Sequence, residues 1–504
     1  MIVFVALAAA LSSVSADGVC LAALRTAPSA VHDLSAEYVE AEGRIPSHCR
    51  VQGVIDQEIG FELWAPAAGT WNRKLLTAGV GGQAGQVNTV EMTRAVERGY
   101  AAASTDGGHK ASDRHWLLGG PMRAANYAWR ANHRLAEEVK PWVAKIYGRS
   151  LEHAFFVGCS GGGRQALTEV QRFPQDYDGV IAGAPGPKTP EMSARRLWEM
   201  IQHTDHPGLM SDADWKHVTD AQVAQCDALD GVRDGVIDAP QTCRFDWSRL
   251  QCGPSAAAPC LSGEQIALAR RIYAPLVDES GHRIDDGLWP GVQVHAAPVP
   301  EPFTPGPAYL AVVLFADGVH HDPNWDPRRL RLDEDLPGID KVADLHADDP
   351  DLRPFAARGG KLILFQGLAD PLVAPQPTIS YYRSVEAKVG GSAKAHGFVR
   401  LFLVPGMEHC LGGAGVDRFG QSAGQDGLGR DPEHDLLSAL EAWDERGRAP
   451  DRIIADRLDD GHVSRTRPLC AYPQQAVYDG HGDPDRASSF SCRVTRTPFL
   501  EKGR

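Results

Sequence analysis

Three residues far apart in the chain have the types that acyl transfer needs: Ser160, Asp370 and His409. Ser160 sits in Gly158-Cys159-Ser160-Gly161-Gly162, a G-x-S-x-G spacing, after the apolar run HAFFVG and before GGRQALTEV. Strand, tight turn and helix in that order present a serine hydroxyl at the head of a sheet. Glycines on either side let the chain turn without Cβ clashes. The helix start then aims free amides and the positive end of its dipole at the reacting centre. Asp370 ends LILFQGLAD and His409 ends VRLFLVPGMEH, so each follows an apolar run. A histidine in reach of Ser160 takes its proton. An aspartate behind that histidine holds the tautomer and stabilises the imidazolium.

The neighbours of these residues add a second pattern. Cys159 directly precedes Ser160, and Cys410 directly follows His409. If Ser160 and His409 are within hydrogen-bond reach, their cysteine neighbours are close enough to bond, which turns a rival thiol into a covalent brace. The chain has ten cysteines and no C-x-x-C pair, which weakens zinc and thioredoxin-like readings. Many connectivities are formally possible. Pairing nearest neighbours joins Cys20 to Cys49, Cys226 to Cys243, Cys252 to Cys260 and Cys470 to Cys492, and leaves Cys159 and Cys410 for each other. An oxyanion needs two backbone amides. Gly161 supplies one. The glycine-rich LLTAGVGGQAG (Leu75–Gly85) supplies the other through Gly81 or Gly82, unless it is an ordinary Gly-rich turn.

The elements that position these groups follow from the pattern of apolar runs. Strands are predicted at 61–66, 74–79, 100–106, 154–158, 179–183, 361–367 and 399–406. Most are continuous apolar runs, as strands buried on both faces require. Helices are predicted at 124–148, 162–173, 377–389 and 434–448. The alternation implies a parallel α/β sheet, and the order Ser, Asp, His at strand ends is that of an α/β-hydrolase fold. Alternation stops between about Gly186 and Pro350, a region with four cysteines, clustered aspartates and a Pro-rich tract (296–307). We expect a hydrolase domain in two parts, 17–186 and 351–504, with a large lid domain, 187–350, inserted between the nucleophile half and the acid/base half.

Composition narrows the function. With 504 residues the chain can bury a large core and hold more than one domain. A net charge of −14 argues against nucleic acid as a partner. The N-terminal MIVFVALAAALSSVSADG is too short an apolar run to span a bilayer. It reads as a signal peptide over 1–16, cut after Ala16, although the basic n-region is missing; a buried N-terminal strand is the competing reading. No other stretch approaches transmembrane length. An even number of cysteines after that point fits an oxidising compartment, so a secreted or periplasmic protein.

Cys226 to Cys243 encloses CDALDGVRDGVIDAPQTC. Asp227, Asp230 and Asp234 are spaced i, i+3, i+7, with Asp238 beyond. Packed carboxylates repel unless a cation sits among them, and hard oxygen ligands suit Ca²⁺. Backbone carbonyls of Val232 and Val236 can complete the shell. The spacing is not that of an EF-hand, and a solvated acidic turn is the competing reading.

Taken together, GCSGGGRQAL, RFPQDYDGVIAGAP (Arg172–Pro185), the CDALDGVRDGVID loop, LRPFAARGGKLILFQGLADPLVAP (Leu352–Pro375), PGMEHC and RTRPLCAYPQ (Arg465–Gln474) resemble the tannase and feruloyl esterase family of serine hydrolases. STDGGH (Ser104–His109) is similar to a family segment too. The resemblance covers nearly the whole mature chain. It implies a catalytic Cys159-Ser160, Asp370 and His409-Cys410, with the cysteine pair bridged. It also implies a structural Ca²⁺ in the lid at Asp227, Asp230, Val232, Asp234 and Val236. One departure stands out: Gly161 occupies a position where some members carry a larger side chain.

The expected activity is a serine esterase acting on esters of aromatic carboxylic acids of hydroxycinnamic or hydroxybenzoic type, feruloyl esterase-like. A tannase or mono(2-hydroxyethyl) terephthalate hydrolase is the adjacent alternative. A catalytically silent, calcium-stabilised extracellular binding protein is the alternative from another class. Leu372 and Val373, just after Asp370, are expected to form apolar pocket wall. Trp289 in GLWPG is either a pocket contact from the lid or core. The partner is a small aromatic ester; no nucleic acid or membrane partner is expected, and the chain is a monomer or dimer.

Overall fold

The computed structural model describes residues 16–253, 259–295, 309–425 and 427–495. The expected leader falls outside these residues except for Ala16, which opens a helix, Ala16–Arg25. The Pro-rich tract lies outside them as well.

Nine strands form the main sheet: β1 (Val31–Val39), β2 (His48–Ile55), β3 (Ile59–Pro66), β4 (Lys74–Ala78), β5 (Ala101–Thr105), β6 (His153–Cys159), β7 (Gly179–Gly183), β8 (Lys361–Gly367) and β9 (Val399–Val404). Their order is β1-β2-β3-β5-β4-β6-β7-β8-β9. β1, β2, β3 and β5 pair antiparallel in sequence. From β5 to β9 every pairing is parallel. All the parallel strands were predicted as apolar runs, and β5, β7 and β9 are buried along their whole length; β3, also predicted, at 61–66, instead pairs antiparallel with both its neighbours. β1 carries polar residues on an exposed face, and β2 interleaves His48, Arg50 and Gln52 with its apolar residues, which hid both from that test.

Helices cover both faces of the sheet, as parallel strands require. Thr89–Glu97 and Leu436–Arg446 bury Met92, Val96, Leu440 and Trp443 against one face. Ala131–Tyr147, Gly161–Arg172 and Pro375–Val389 bury Ala136, Leu167, Ile379 and Val385 against the other. The single helix predicted over 124–148 is broken. A short helix, Pro121–Ala125, runs into a π-helical turn at Asn126–Arg130 before Ala131–Tyr147 begins.

Among the described residues, no strand of the main sheet lies between Gly183 and Lys361. That stretch is largely helical; it packs an apolar cluster of its own around Trp215 and shares a second, around Phe315, with Val80, Trp116 and Tyr127. Two antiparallel ladders near the C-terminus, Arg452–Asp459 with His462–Cys470 and Gln474–Tyr478 with Phe490–Val494, were not predicted. All ten cysteines are paired, in the five nearest-neighbour and brace pairs expected.

Candidate active site

β6 delivers Ser160 to the top of the sheet. Ser160 takes φ +61°, a left-handed value that costs a non-glycine residue strain and is typical of functional turns. The turn is held on both sides. The Ser160 amide donates to Gly183 O at 2.9 Å, and its carbonyl accepts from the Arg164 amide at 2.9 Å. Gly158 is required here, since a Cβ on it would lie 2.4 Å from Gly162 O. Strand and helix can meet at so sharp an angle only without that atom.

His409 Nδ1 lies 2.8 Å from Asp370 Oδ2. The acceptor places the imidazole proton on Nδ1 and leaves Nε2 as the basic nitrogen. Asp370 is fully buried, yet its carboxylate is well supplied with donors. Oδ1 accepts from the amides of Leu372 at 2.8 Å and Val373 at 2.9 Å, and Gln366 Nε2 stands 3.3 Å from Oδ2. Gln366 is itself oriented by the Thr378 hydroxyl at 2.9 Å. These contacts fix the Asp370 carboxylate, and the carboxylate in turn orients the His409 ring. Cys159 and Cys410 are disulfide-bonded, with Cα atoms 6.1 Å apart. Ser160, His409 and both cysteines line one cavity of about 340 Å³. The bridge therefore ties the strand that carries the serine to the loop that carries the imidazole.

Gly81, Gly82 and Gly161 line the same cavity. The loop after β4 is clamped at four points. Val80 N donates to Gln165 Oε1 at 2.9 Å, and Gln165 Nε2 returns a bond to Val80 O at 3.2 Å. The Tyr127 hydroxyl donates to Gly82 O at 2.9 Å, Asn88 Nδ2 to Gly79 O at 2.8 Å and Trp116 Nε1 to Gln83 Oε1 at 3.1 Å. Among the described residues, neither the Gly81 nor the Gly82 amide donates a hydrogen bond. A Cβ on Gly161 would lie 3.0 Å from Gly82 O and 3.1 Å from Gly82 N. The absence of a side chain at 161 thus lets the loop close down on the helix start, where the first amides also lack intrahelical partners. Such amides are suited to an anionic oxygen.

Leu372 and Val373 line the cavity as expected, and Met192, Leu310 and Thr189 join them from the helical region. Trp289 does not. It packs half-buried against the apolar cluster that includes Ile379 and Tyr382, the core placement that was its competing reading. Two arginines reach the wall, Arg164 and Arg196. Arg196 Nη1 is anchored to Glu199 Oε2 at 2.5 Å and to Pro371 O at 3.3 Å. Sequence reasoning named neither, and it missed Gln165 and Tyr127. The short GGGRQ run contains Gln165 and Arg164, but their targets lie elsewhere in the chain.

A family model for tannase and feruloyl esterase matches residues 43–493. The chain belongs to that family. It is 36% identical to an uncharacterized esterase of Xanthomonas campestris, over 96% of this chain and 92% of the relative. It is 32% identical to a mono(2-hydroxyethyl) terephthalate hydrolase of Piscinibacter sakaiensis, over 89% of this chain and 85% of that one. The crystal structure of feruloyl esterase B from Aspergillus oryzae superposes with a TM-score of 0.85 at 24% identity, covering 95% of this chain and all of the other (100%). The fold is that of an α/β-hydrolase, and the chain is a carboxylic ester hydrolase.

The acidic loop of this esterase is closed by Cys226–Cys243 and largely organised by its own amides. Asp227 accepts from the amides of Asp234 and Gly235, both at 3.2 Å, and Asp230 from Val232 N at 2.9 Å. Asp234 accepts from Val236 N at 3.1 Å and turns its other oxygen to Arg467, with Arg465 at 3.6 Å. Among the described residues, no three acidic, imidazole or thiol side chains are placed to hold a metal. Negative charge is nevertheless in excess. Desolvation and then the Asp230 carboxylate push the Asp238 carboxyl well up, and desolvation raises Asp230 too. The donor set is all hard oxygen, which fits Ca²⁺ in type.

Proposed function

We propose that this esterase hydrolyses esters of hydroxycinnamic or hydroxybenzoic acids through an acyl-enzyme on Ser160. One observation carries the mechanism: the 2.8 Å contact of His409 Nδ1 with buried Asp370, in the cavity that Ser160 lines. Ser160 Oγ attacks the ester carbonyl carbon while His409 Nε2 takes the hydroxyl proton. The amides of Gly161 and of Gly81 or Gly82 hold the oxyanion. Collapse breaks the bond to the alcohol, which leaves with the proton from His409. Water then attacks the acyl-enzyme, with His409 as base, and the acid departs as Ser160 regains its proton.

An aromatic acyl group suits the apolar wall formed by Met192, Leu310, Leu372 and Val373. A second reading, a terephthalate-type monoester, is favoured by Arg196 on that wall, since a guanidinium pairs well with a second carboxylate. Residues 187–350 act as the lid of a hydrolase domain made from 17–186 and 351–504. In the loop Asp227–Val236, Asp227, Asp230 and Asp234 with the carbonyls of Val232 and Val236 would hold Ca²⁺, which would offset the surplus carboxylate charge there. Five disulfides fit export to an oxidising compartment.

A panel of methyl ferulate, methyl gallate and mono(2-hydroxyethyl) terephthalate tests the substrate class. The reading predicts the highest kcat/KM for methyl ferulate. A clear preference for the terephthalate monoester that is lost in Arg196→Gln selects the second reading. No turnover of any of the three refutes both.

A further inference from the structure

Arg164 lies in the first turns of the helix that starts after Ser160 and is 2% exposed. A buried guanidinium normally has a carboxylate beside it, because desolvating a lone cation is costly. Arg164 forms no ion pair among the described residues, and burial lowers its pKa. Its bonds go to main-chain carbonyls instead. Nη1 donates to Ala128 O at 2.7 Å and Nη2 to Tyr127 O at 3.0 Å, while Nε finds no partner. Both carbonyls belong to the π-helical turn Asn126–Arg130, an irregularity that recurs at functional sites. The guanidinium also lies over the Tyr127 ring, 5.0 Å from its centroid.

Tyr127 is the next link. The residue is 3% exposed, and the Trp116 ring packs against its own with centroids 4.8 Å apart. Its hydroxyl donates to Gly82 O at 2.9 Å. Gly82 is the residue against which Gly161 abuts. Two successive residues of the serine-bearing helix therefore grip the same loop, Gln165 directly at Val80 and Arg164 through Tyr127 at Gly82.

We infer that Arg164 and Tyr127 are positioning residues for ester hydrolysis: the Arg164 fork fixes the π-turn, and the Tyr127 hydroxyl sets the Gly82 peptide at the distance where its loop's free amides meet the oxyanion. The inference rests on the proposed reading that the Gly81–Gly82 loop supplies an oxyanion donor. It explains why an uncompensated cation is buried beside the cavity. Arginine is needed because two carbonyls must be held at once in a planar fork, which a lysine ammonium on a flexible stem does less well.

Tyr127→Phe tests this with the smallest change, since the ring and its packing stay. Ferulate-ester kinetics, melting temperature and affinity for an arylboronic acid are measured together. The boronate forms a tetrahedral anionic adduct on a reactive serine, so it reports oxyanion placement. We expect kcat to fall about tenfold to a hundredfold with KM within about threefold, and boronate affinity to fall in parallel. Arg164→Lys should lie between wild type and Arg164→Met in kcat. Unchanged kcat and boronate affinity in Tyr127→Phe would overturn the inference. So would a loss confined to melting temperature and KM, since that is what a merely structural contact produces. Should wild type neither bind boronate nor turn over esters, the fault lies in the proposed function, and this inference falls with it.

Discussion

Replacing Cys159 and Cys410 together by serine removes the link between the serine strand and the histidine loop. The bridge closes a segment of 251 residues, for which the chain-entropy relation gives about 5 kcal/mol. Melting entropy of roughly 2.1 cal/mol/K per residue makes the whole-chain slope about 1 kcal/mol per degree. The double variant should therefore melt about 5 °C lower by calorimetry. Activity should fall further than stability alone explains, because both cysteines adjoin the reacting side chains. A displacement of His409 by about 1 Å costs on the order of a hundredfold in kcat. Cys252→Ser with Cys260→Ser is the control. That bridge spans only 8 residues and does not line the cavity, so about 2.5 kcal/mol is lost with kcat unchanged. Initial rates on a ferulate ester, taken well below both melting temperatures, separate the two effects. A Cys159/Cys410 variant with wild-type melting and wild-type kcat would refute the brace.

Asp370→Asn should keep the fold and lower kcat by about 10⁴, since the amide presents the wrong tautomer to His409; a loss under tenfold contradicts the assigned role. Glu169, 2% exposed on the same helix as Arg164, has its carboxyl pushed well up by burial and then by Asp176. The unfolded chain releases that proton near pH 4, before the folded one does, so stability is lost as pH rises. Glu169→Gln should thus melt higher than wild type by a margin that grows from pH 4 to pH 8; a margin that shrinks with pH is the wrong sign. Exhaustive chelation should lower the melting temperature and readdition of Ca²⁺ restore it. Protein free of calcium by elemental analysis, with melting unaffected by either step, removes the ion from the account.

The parallel half of the sheet was legible because β4 to β9 are continuous apolar runs, and Gly179–Gly183 and Lys361–Gly367 match their predicted bounds. Ser160, Asp370 and His409 were legible for the same reason, as each sits where such a run ends. β1, β2 and the C-terminal ladders mix polar and charged residues with their apolar ones and lack that signal. The π-turn at Asn126–Arg130 was read as plain helix, because its apolar spacing is helical and the side chain that bonds its carbonyls, Arg164, is 36 and 37 residues away in sequence. Nothing in the sequence marks Met192 and Leu310 as cavity wall, and Trp289 reads either as a pocket contact or as core. Only the packing of the helices between Gly183 and Lys361 separates the two. The ion pair of Asp234 with Arg467 left no trace in the sequence pattern, because the two lie 233 residues apart.

Reaction with a fluorophosphonate, followed by mass mapping of the labelled peptide, asks whether Ser160 is the activated nucleophile. The account predicts one adduct, on the peptide carrying Ser160, absent in Ser160→Ala and formed far more slowly in His409→Ala. An adduct at another residue, or undiminished labelling of Ser160→Ala, would contradict it.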